Sequence, residues 1–308
     1  MRLDDFDPNI NVEDQRGQGG GGGGFGGGGG GLLLGLVPLV FSRFGCGGVA
    51  VLLAVLVFFG GGLGMLGGGG GQVGAPTQQV GQQGGSARGG TDAKSSCTLN
   101  AESRTACNAF SSADKTWAAI FQRNGQQFQQ PKLVFYGGNG RSGCGAAQSA
   151  MGPFYCPRDQ GVYLDTSFFA ELANRFGAKG DFAQDYVIAH EFGHHIQNLL
   201  GTSDKVSQIQ RSGNEVEGNQ ASVKLELQAD CYAGVWAAQN RDRLEPGDVE
   251  EGMTAAHAIG DDTLQQQSQG RVVPDSFTHG TSAQRMKWLR TGMESGDPNA
   301  CNTFAGAI

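Results

Sequence analysis

Residues 189–197 read AHEFGHHIQ, which sets three of the chain's five histidines beside one glutamate. If this stretch is helical, His190 and His194 lie four residues apart, and that spacing turns both imidazoles to one face. Zinc accepts such nitrogens at about 2.0–2.1 Å in a tetrahedral arrangement. Glu191 projects beside such a metal rather than onto it, where it can take a proton from metal-bound water. This is the H-E-x-x-H pattern with its mechanism attached. The bland alternative is an ordinary helix that carries histidines, and five letters alone do not decide between the two.

A third ligand is needed. The H-E-x-x-H-x-x-G-x-x-H pattern requires Gly at 197 and His at 200; the chain has Gln197 and Leu200, which excludes that class. The other common solution is a glutamate from a following helix. In KLELQADCYAG, Glu226 and Asp230 are again four apart, among Leu225, Leu227, Ala229, Tyr232, Ala233 and Trp236. Carboxylates in such apolar company need partners. Glu226 is the candidate third ligand, and Asp230 the candidate acceptor for the second ring N–H of a ligand histidine. A solvated acidic face is the rival reading. His195 points about 100° away and reads as a packing or hydrogen-bonding residue, and His257 reads as structural. His279, in THGTSAQR, is a candidate stabiliser of a tetrahedral oxyanion, set against a structural network with Arg285. Tyr163 and Tyr232 are lesser candidates. Asp261 and Asp262 read as a helix-end turn rather than a cation site.

These residues require rigid elements. DFAQDYVIAHEFGHHIQNLLG (181–201) predicts a helix of about 19 residues that ends at Gly201, with Asp181 and Gln184 as a capping-box pair. NQASVKLELQADCYAGVWAAQNRDR predicts a second long helix. Asp248 with Glu251 caps a third that closes at Gly260, and Thr281 with Gln284 caps a fourth. Upstream, SSADKTWAAIFQRNG and TSFFAELANRFG read as helices, and residues 131–136 and 161–165 as short strands. The order implies an α+β domain, mainly helical, with a small β-sheet.

The rest of the chain divides by composition. Residues 1–31 are polar and then nearly pure glycine, and read as a disordered leader in the cytoplasm. Arg43 is the only charged residue between Arg16 and Arg88. Residues 32–66 read as a membrane segment whose best span is 44–66, long enough to cross a bilayer core of about 30 Å. Basic residues ahead of it orient a single-pass membrane protein with its N-terminus in the cytoplasm and its C-terminal domain outside. Residues 67–95 read as a flexible linker, and residues 96–308 as the domain. Six of the seven cysteines lie in that domain, which suits an oxidising compartment. Fifteen connectivities are possible; sequence proximity suggests Cys97–Cys107 and Cys144–Cys156, which leaves Cys231–Cys301. A net charge of −7 gives no footprint for nucleic acid.

Five blocks in order, CGAAQSAMGPFYCPRDQGVYLD, VIAHEFGHHIQNLLG, LELQADCYAGVWA, AIGDDTLQ and FTHGTSAQR, make the chain resemble the bacterial neutral zinc metallopeptidase family, membrane-anchored proteins of the gluzincin type. The resemblance implies His190, His194 and Glu226 as zinc ligands and Glu191 as general base. It also implies a minimal zincin-like fold in which the strand near GVYLD pairs with an extended substrate. The function expected is zinc-dependent endopeptidase action on envelope or membrane-proximal proteins. The alternatives are a membrane-anchored zinc-binding adaptor without turnover and a structural envelope protein. Zn²⁺ and a peptide or protein substrate are the expected cofactor and partner, and the oligomeric state is open.

Overall fold

Buried, β-rich runs at KLVFY and GVYLD form the centre of a four-stranded sheet, and every residue of the second is buried. The computed structural model describes residues 1–17 and 92–306, which belong to one compact unit. The sheet contains β1 (Asn11–Asp14), β2 (Lys132–Tyr136), β5 (Phe154–Cys156) and β6 (Gly161–Asp165) in the order β1-β2-β6-β5. The first three of that order run parallel, and β5 is antiparallel to β6. A separate hairpin joins β3 (Asn139–Ser142) to β4 (Gly145–Gln148).

The helices are α1 (Ala93–Cys97), α2 (Ala101–Arg123), α3 (Ser167–Asn174), α4 (Asp181–Leu199), α5 (Thr202–Ser212), α6 (Glu215–Gln239), α7 (Asp248–Ala258), α8 (Asp261–Gln269) and α9 (Ser282–Ser295). The mainly helical α+β architecture expected from the sequence is present. So are the strands at 132–136 and 161–165 and the 19-residue helix that carries the histidines. The three expected disulfides are formed: Cys97–Cys107, Cys144–Cys156 and Cys231–Cys301.

Helix α4 runs through the core. Phe192 meets Phe110 of α2 edge to face at 5.3 Å, and Phe182 stacks on Trp236 of α6 at 6.2 Å. Its start differs from the expected capping box. Gly180 is the N-cap, without a side-chain bond, and Asp181 is already inside the helix. There the Asp181 carboxylate lies 2.8 Å from the Met1 α-ammonium, so a distant cation has claimed the group that local pattern assigned to a cap. The box at Thr281 and Gln284 forms as expected.

The leader is corrected more substantially. Residues 1–17 are folded, not disordered. Val12 pairs with Leu133 in the sheet, and Leu3, Ile10 and Val12 are buried in the main core. The Arg16 guanidinium lies 4.4 Å over the Phe135 ring. Apolar side chains spaced along a polar stretch thus find an open sheet edge, which local composition does not reveal. A strand and its partner share a compartment, so residues 1–17 and the domain lie on the same side of any membrane. A cytoplasmic leader joined to an extracytoplasmic domain does not fit this pairing. The expected span at 44–66, the run at 32–41 and nearly all of the expected linker lie outside the described residues. Among the described residues, no helix is long and apolar enough to cross a membrane.

Close helix approach brings the site together. A Cβ on Gly193 would stand 3.0 Å from the Ala229 carbonyl oxygen, so α4 and α6 nearly touch beside the histidines. A Cβ on Gly292 of α9 would stand 2.0 Å from the Cys231 carbonyl oxygen of α6. Neither contact can relax by a side-chain rotation, because the obstructing atom is backbone. Gly292→Ala is therefore expected to lower folding stability by about 1–3 kcal/mol in denaturant titration. Unchanged stability would show that α6 and α9 are not this close.

Candidate active site

The two histidines of α4 and one glutamate of α6 converge. Ligand atoms of His190, His194 and Glu226 all lie within 4.8 Å of one another. His190 Nε2 is 3.2 Å from Glu226 Oε2, and His194 Nε2 is 3.4 Å from Glu226 Oε1. Two imidazole nitrogens and a carboxylate oxygen facing a common point are a donor set that suits a catalytic zinc, with the remaining position open to water or substrate. The residues fit the metal.

Each histidine is held from behind through Nδ1. His190 Nδ1 lies 2.8 Å from Asp230 Oδ1, where Asp230 was expected to accept the second ring N–H of a ligand histidine. Asp230 is fully buried and also accepts from Tyr186 Oη at 2.6 Å and from Arg285 through Nε and Nη2, both at 2.9 Å. Burial alone would raise its pKa, but the Arg285 guanidinium and His190 hold it down to about 2. Asp230 thus stays a carboxylate, and a carboxylate can only accept, so His190 Nδ1 carries the proton and Nε2 presents a lone pair. His194 Nδ1 lies 2.8 Å from Gln197 Oε1.

Glu191 is buried and lines the same cleft, a cavity of about 570 Å³. His279 also lines it, on the loop before α9. The rival reading placed it in a structural network with Arg285, but Arg285 is committed to Asp230. Asp261 holds His279 instead. Its Oδ1 is 3.2 Å from His279 Nδ1, and its Oδ2 accepts the backbone N–H groups of Thr278, His279 and Gly280 at 2.7, 2.6 and 3.0 Å. Burial disfavours the imidazolium, yet the bond to Asp261 and the nearby Glu226 charge raise the His279 pKa above the ordinary value. Asp261 begins α8, as the reading of a helix-end turn requires, and in addition ties down the His279 loop. Nothing local in GDDTLQ signals this, since the bonds it makes span 17 to 19 residues.

The remaining candidates fall outside the chemistry. His195 is buried, with Nδ1 3.0 Å from Tyr155 Oη and Nε2 2.6 Å from the Gln129 carbonyl oxygen, and burial lowers its pKa to about 4. His257 is exposed. Tyr163 donates to Asp159 and stacks on Phe154, and Tyr232 packs edge to face on Trp117; neither lines the cleft. Asp262 accepts from the Ser282 backbone N–H and hydroxyl. A second acidic group, Asp181, Asp248 and Glu251, has the spacing of a metal site. It already holds a cation, because the Met1 α-ammonium sits 2.8 Å from Asp181 and 3.1 Å from Asp248.

The metal-free site carries a pH signature. Burial lowers the His194 pKa, but Glu226 more than offsets this and pushes it up to about 9. The same pairing holds the Glu226 carboxyl well below its usual range. A histidine whose folded pKa is raised contributes stability that is complete below its ordinary value of 6.5 and is lost as pH rises through the folded value. Chelator-treated protein should therefore lose thermal stability between pH 6.5 and 9. Glu226→Gln should lose less over that range, while the Met1 amine, raised by its own partners, titrates alike in both. Equal losses in the two proteins would refute the pairing.

The uncharacterized protein YpfJ of Escherichia coli K12 is 59% identical over 197 residues, spanning 63% of this chain and 69% of that protein. The uncharacterized protein Mb2605 of Mycobacterium bovis is 43% identical over 209 residues, spanning 64% of this chain and 68% of its own. No solved structure matches the chain. The profile of the family described as "Putative neutral zinc metallopeptidase" matches residues 1–304, and the chain belongs to that family.

Proposed function

We propose that the protein is a zinc-dependent endopeptidase in which His190, His194 and Glu226 hold the metal. The observation that carries this reading is the convergence of three donor groups from two helices, with Glu191 beside them in an open cleft. Zinc in such a site acidifies a water molecule and polarises the scissile carbonyl. The protein's own groups perform the rest. Glu191 accepts the proton of the attacking water at its carboxylate and delivers it to the leaving nitrogen. His279, anchored by Asp261, offers its Nε2 side to the charge that develops on the carbonyl oxygen. Asp230 and Arg285 keep His190 in the tautomer that leaves Nε2 free to ligate.

The substrate is a peptide segment in extended form. The strand at GVYLD was expected to pair with it, but that strand, β6, has neighbours on both sides, β2 and β5. Among the described residues the edge strands are β1 and β5, and Phe154 and Tyr155 of β5 line the cleft. An extended peptide would add to the β5 edge through main-chain hydrogen bonds. The cleft also presents Met151, Phe154, Phe168, Val187 and Val206, which favour apolar side chains near the scissile bond. Three disulfides favour an oxidising compartment and so an extracytoplasmic protein substrate. The reading as a zinc-binding adaptor without turnover leaves Glu191 and the Asp261–His279 pair without a purpose.

The test is hydrolysis of an unfolded protein such as reduced casein by the full chain, with zinc content measured in parallel. Glu191→Gln is expected to keep its zinc and lose about 10²–10⁴-fold in rate. His279→Gln is expected to lose about 10²–10³-fold in kcat with KM little changed. A Glu191→Gln protein as active as wild type would exclude the proposed base.

A further inference from the structure

His194 is supported by a different chemistry from His190, and the difference assigns a role to a residue that the zinc motif does not include. Gln197 lies one helical turn beyond His194 and is fully buried. Its Oε1 faces His194 Nδ1 at 2.8 Å, and its Nε2 donates to the Leu225 carbonyl oxygen at 2.6 Å and to Gln228 Oε1 at 3.2 Å. Gln228, also buried, donates in turn through Nε2 to the Cys301 carbonyl oxygen at 3.0 Å.

The direction of this chain of bonds follows from its ends. A backbone carbonyl can only accept, so the Cys301 oxygen requires the Gln228 amide nitrogen. That places Gln228 Oε1 towards Gln197, where only the Gln197 amide nitrogen can meet it, and the Leu225 carbonyl imposes the same choice. Gln197 Oε1 is then left for His194, and an oxygen acceptor requires the proton on Nδ1. Neither amide can flip without setting oxygen against oxygen. His194 is thereby confined to the tautomer whose Nε2 lone pair points towards Glu226 and His190.

We propose that Gln197 is a positioning residue for the metal: it fixes the tautomer and ring orientation of His194 and ties the helix of the two histidines to the residue preceding Glu226. The inference rests on the zinc reading of the site. The support is neutral throughout, where that of His190 is ionic. It ends at Cys301, which is bonded to Cys231 of α6, so the disulfide near the chain's C-terminal end anchors the relay to the helix that supplies Glu226.

The test uses the full chain, zinc-loaded, with zinc affinity measured by competition with a chromophoric chelator. Gln197→Met removes the acceptor at nearly constant volume and is expected to weaken zinc binding about 10–100-fold. Gln197→Glu keeps an oxygen acceptor against Nδ1, and with its second oxygen protonated it still donates to the Leu225 carbonyl; it is expected to recover most of that loss, which a purely structural role would not produce. Zinc held as tightly by Gln197→Met as by wild type would overturn the proposal, as would equal weakening in both variants. Nitrogen-15 spectra of the wild-type histidines do not depend on either variant folding. They should show His194 protonated at Nδ1 with slow solvent exchange, and zinc on Nδ1 with the proton on Nε2 would also overturn the proposal. Wild type that holds no zinc would instead remove the metal reading itself, and this inference with it.

Discussion

The site depends on one buried anion. Asp230 has no exposed surface and sits on a helix whose other neighbours are largely apolar. An isolated carboxylate there would carry a desolvation penalty of several kcal/mol. Its stability comes from four donors on two other helices: His190 and Tyr186 on α4, and two nitrogens of Arg285 on α9. Because each donor satisfies the same group, the relative placement of α4, α6 and α9 is constrained by electrostatics as well as by packing. The helices approach closely enough for this only because Gly193, Gly234 and Gly292 present no side chain at the crossings. The orientation of His190 is thus fixed by the fold and does not await the metal.

Charge compensation recurs at the other end of α4. Asp181 and Asp248 begin α4 and α7, and the Met1 α-ammonium bridges them. Carboxylates in the first turn already suit the helix dipole, and a shared cation removes their mutual repulsion. The first seventeen residues therefore contribute twice, by a strand at the sheet edge and by a charge at the start of the histidine helix. They belong to the machinery that positions the site.

Much of the site was legible in the sequence because its logic is local. The spacing of His190 and His194, and of Glu226 and Asp230, follows from helical periodicity, and the apolar company of the second pair signals burial with a partner. Disulfides closing ten or twelve residues are also local. What was not legible depends on contacts between distant segments. NVED has no strong strand pattern, and it becomes β1 because β2 offers an open edge and Val12 finds the core. Asp261 shows nothing unusual until the His279 loop folds back onto its carboxylate. Gln197 entered the sequence reading only as a residue that excluded a rival class, since its three partners lie on another helix or on the histidine it supports. The capping pattern at Asp181 was misleading for a related reason, as a tertiary cation outcompeted the local bond.

The central claim is that two helices, locked by Asp230 and by the Gln197 amide, hold a zinc ion between His190, His194 and Glu226. Its most direct test is the anomalous scattering of crystals of the full chain, measured on both sides of the zinc absorption edge. The account predicts one peak per chain, within bonding distance of His190 Nε2, His194 Nε2 and the Glu226 carboxylate. A peak at Asp181, Asp248 and Glu251 instead, or none in protein purified with zinc present, would contradict it.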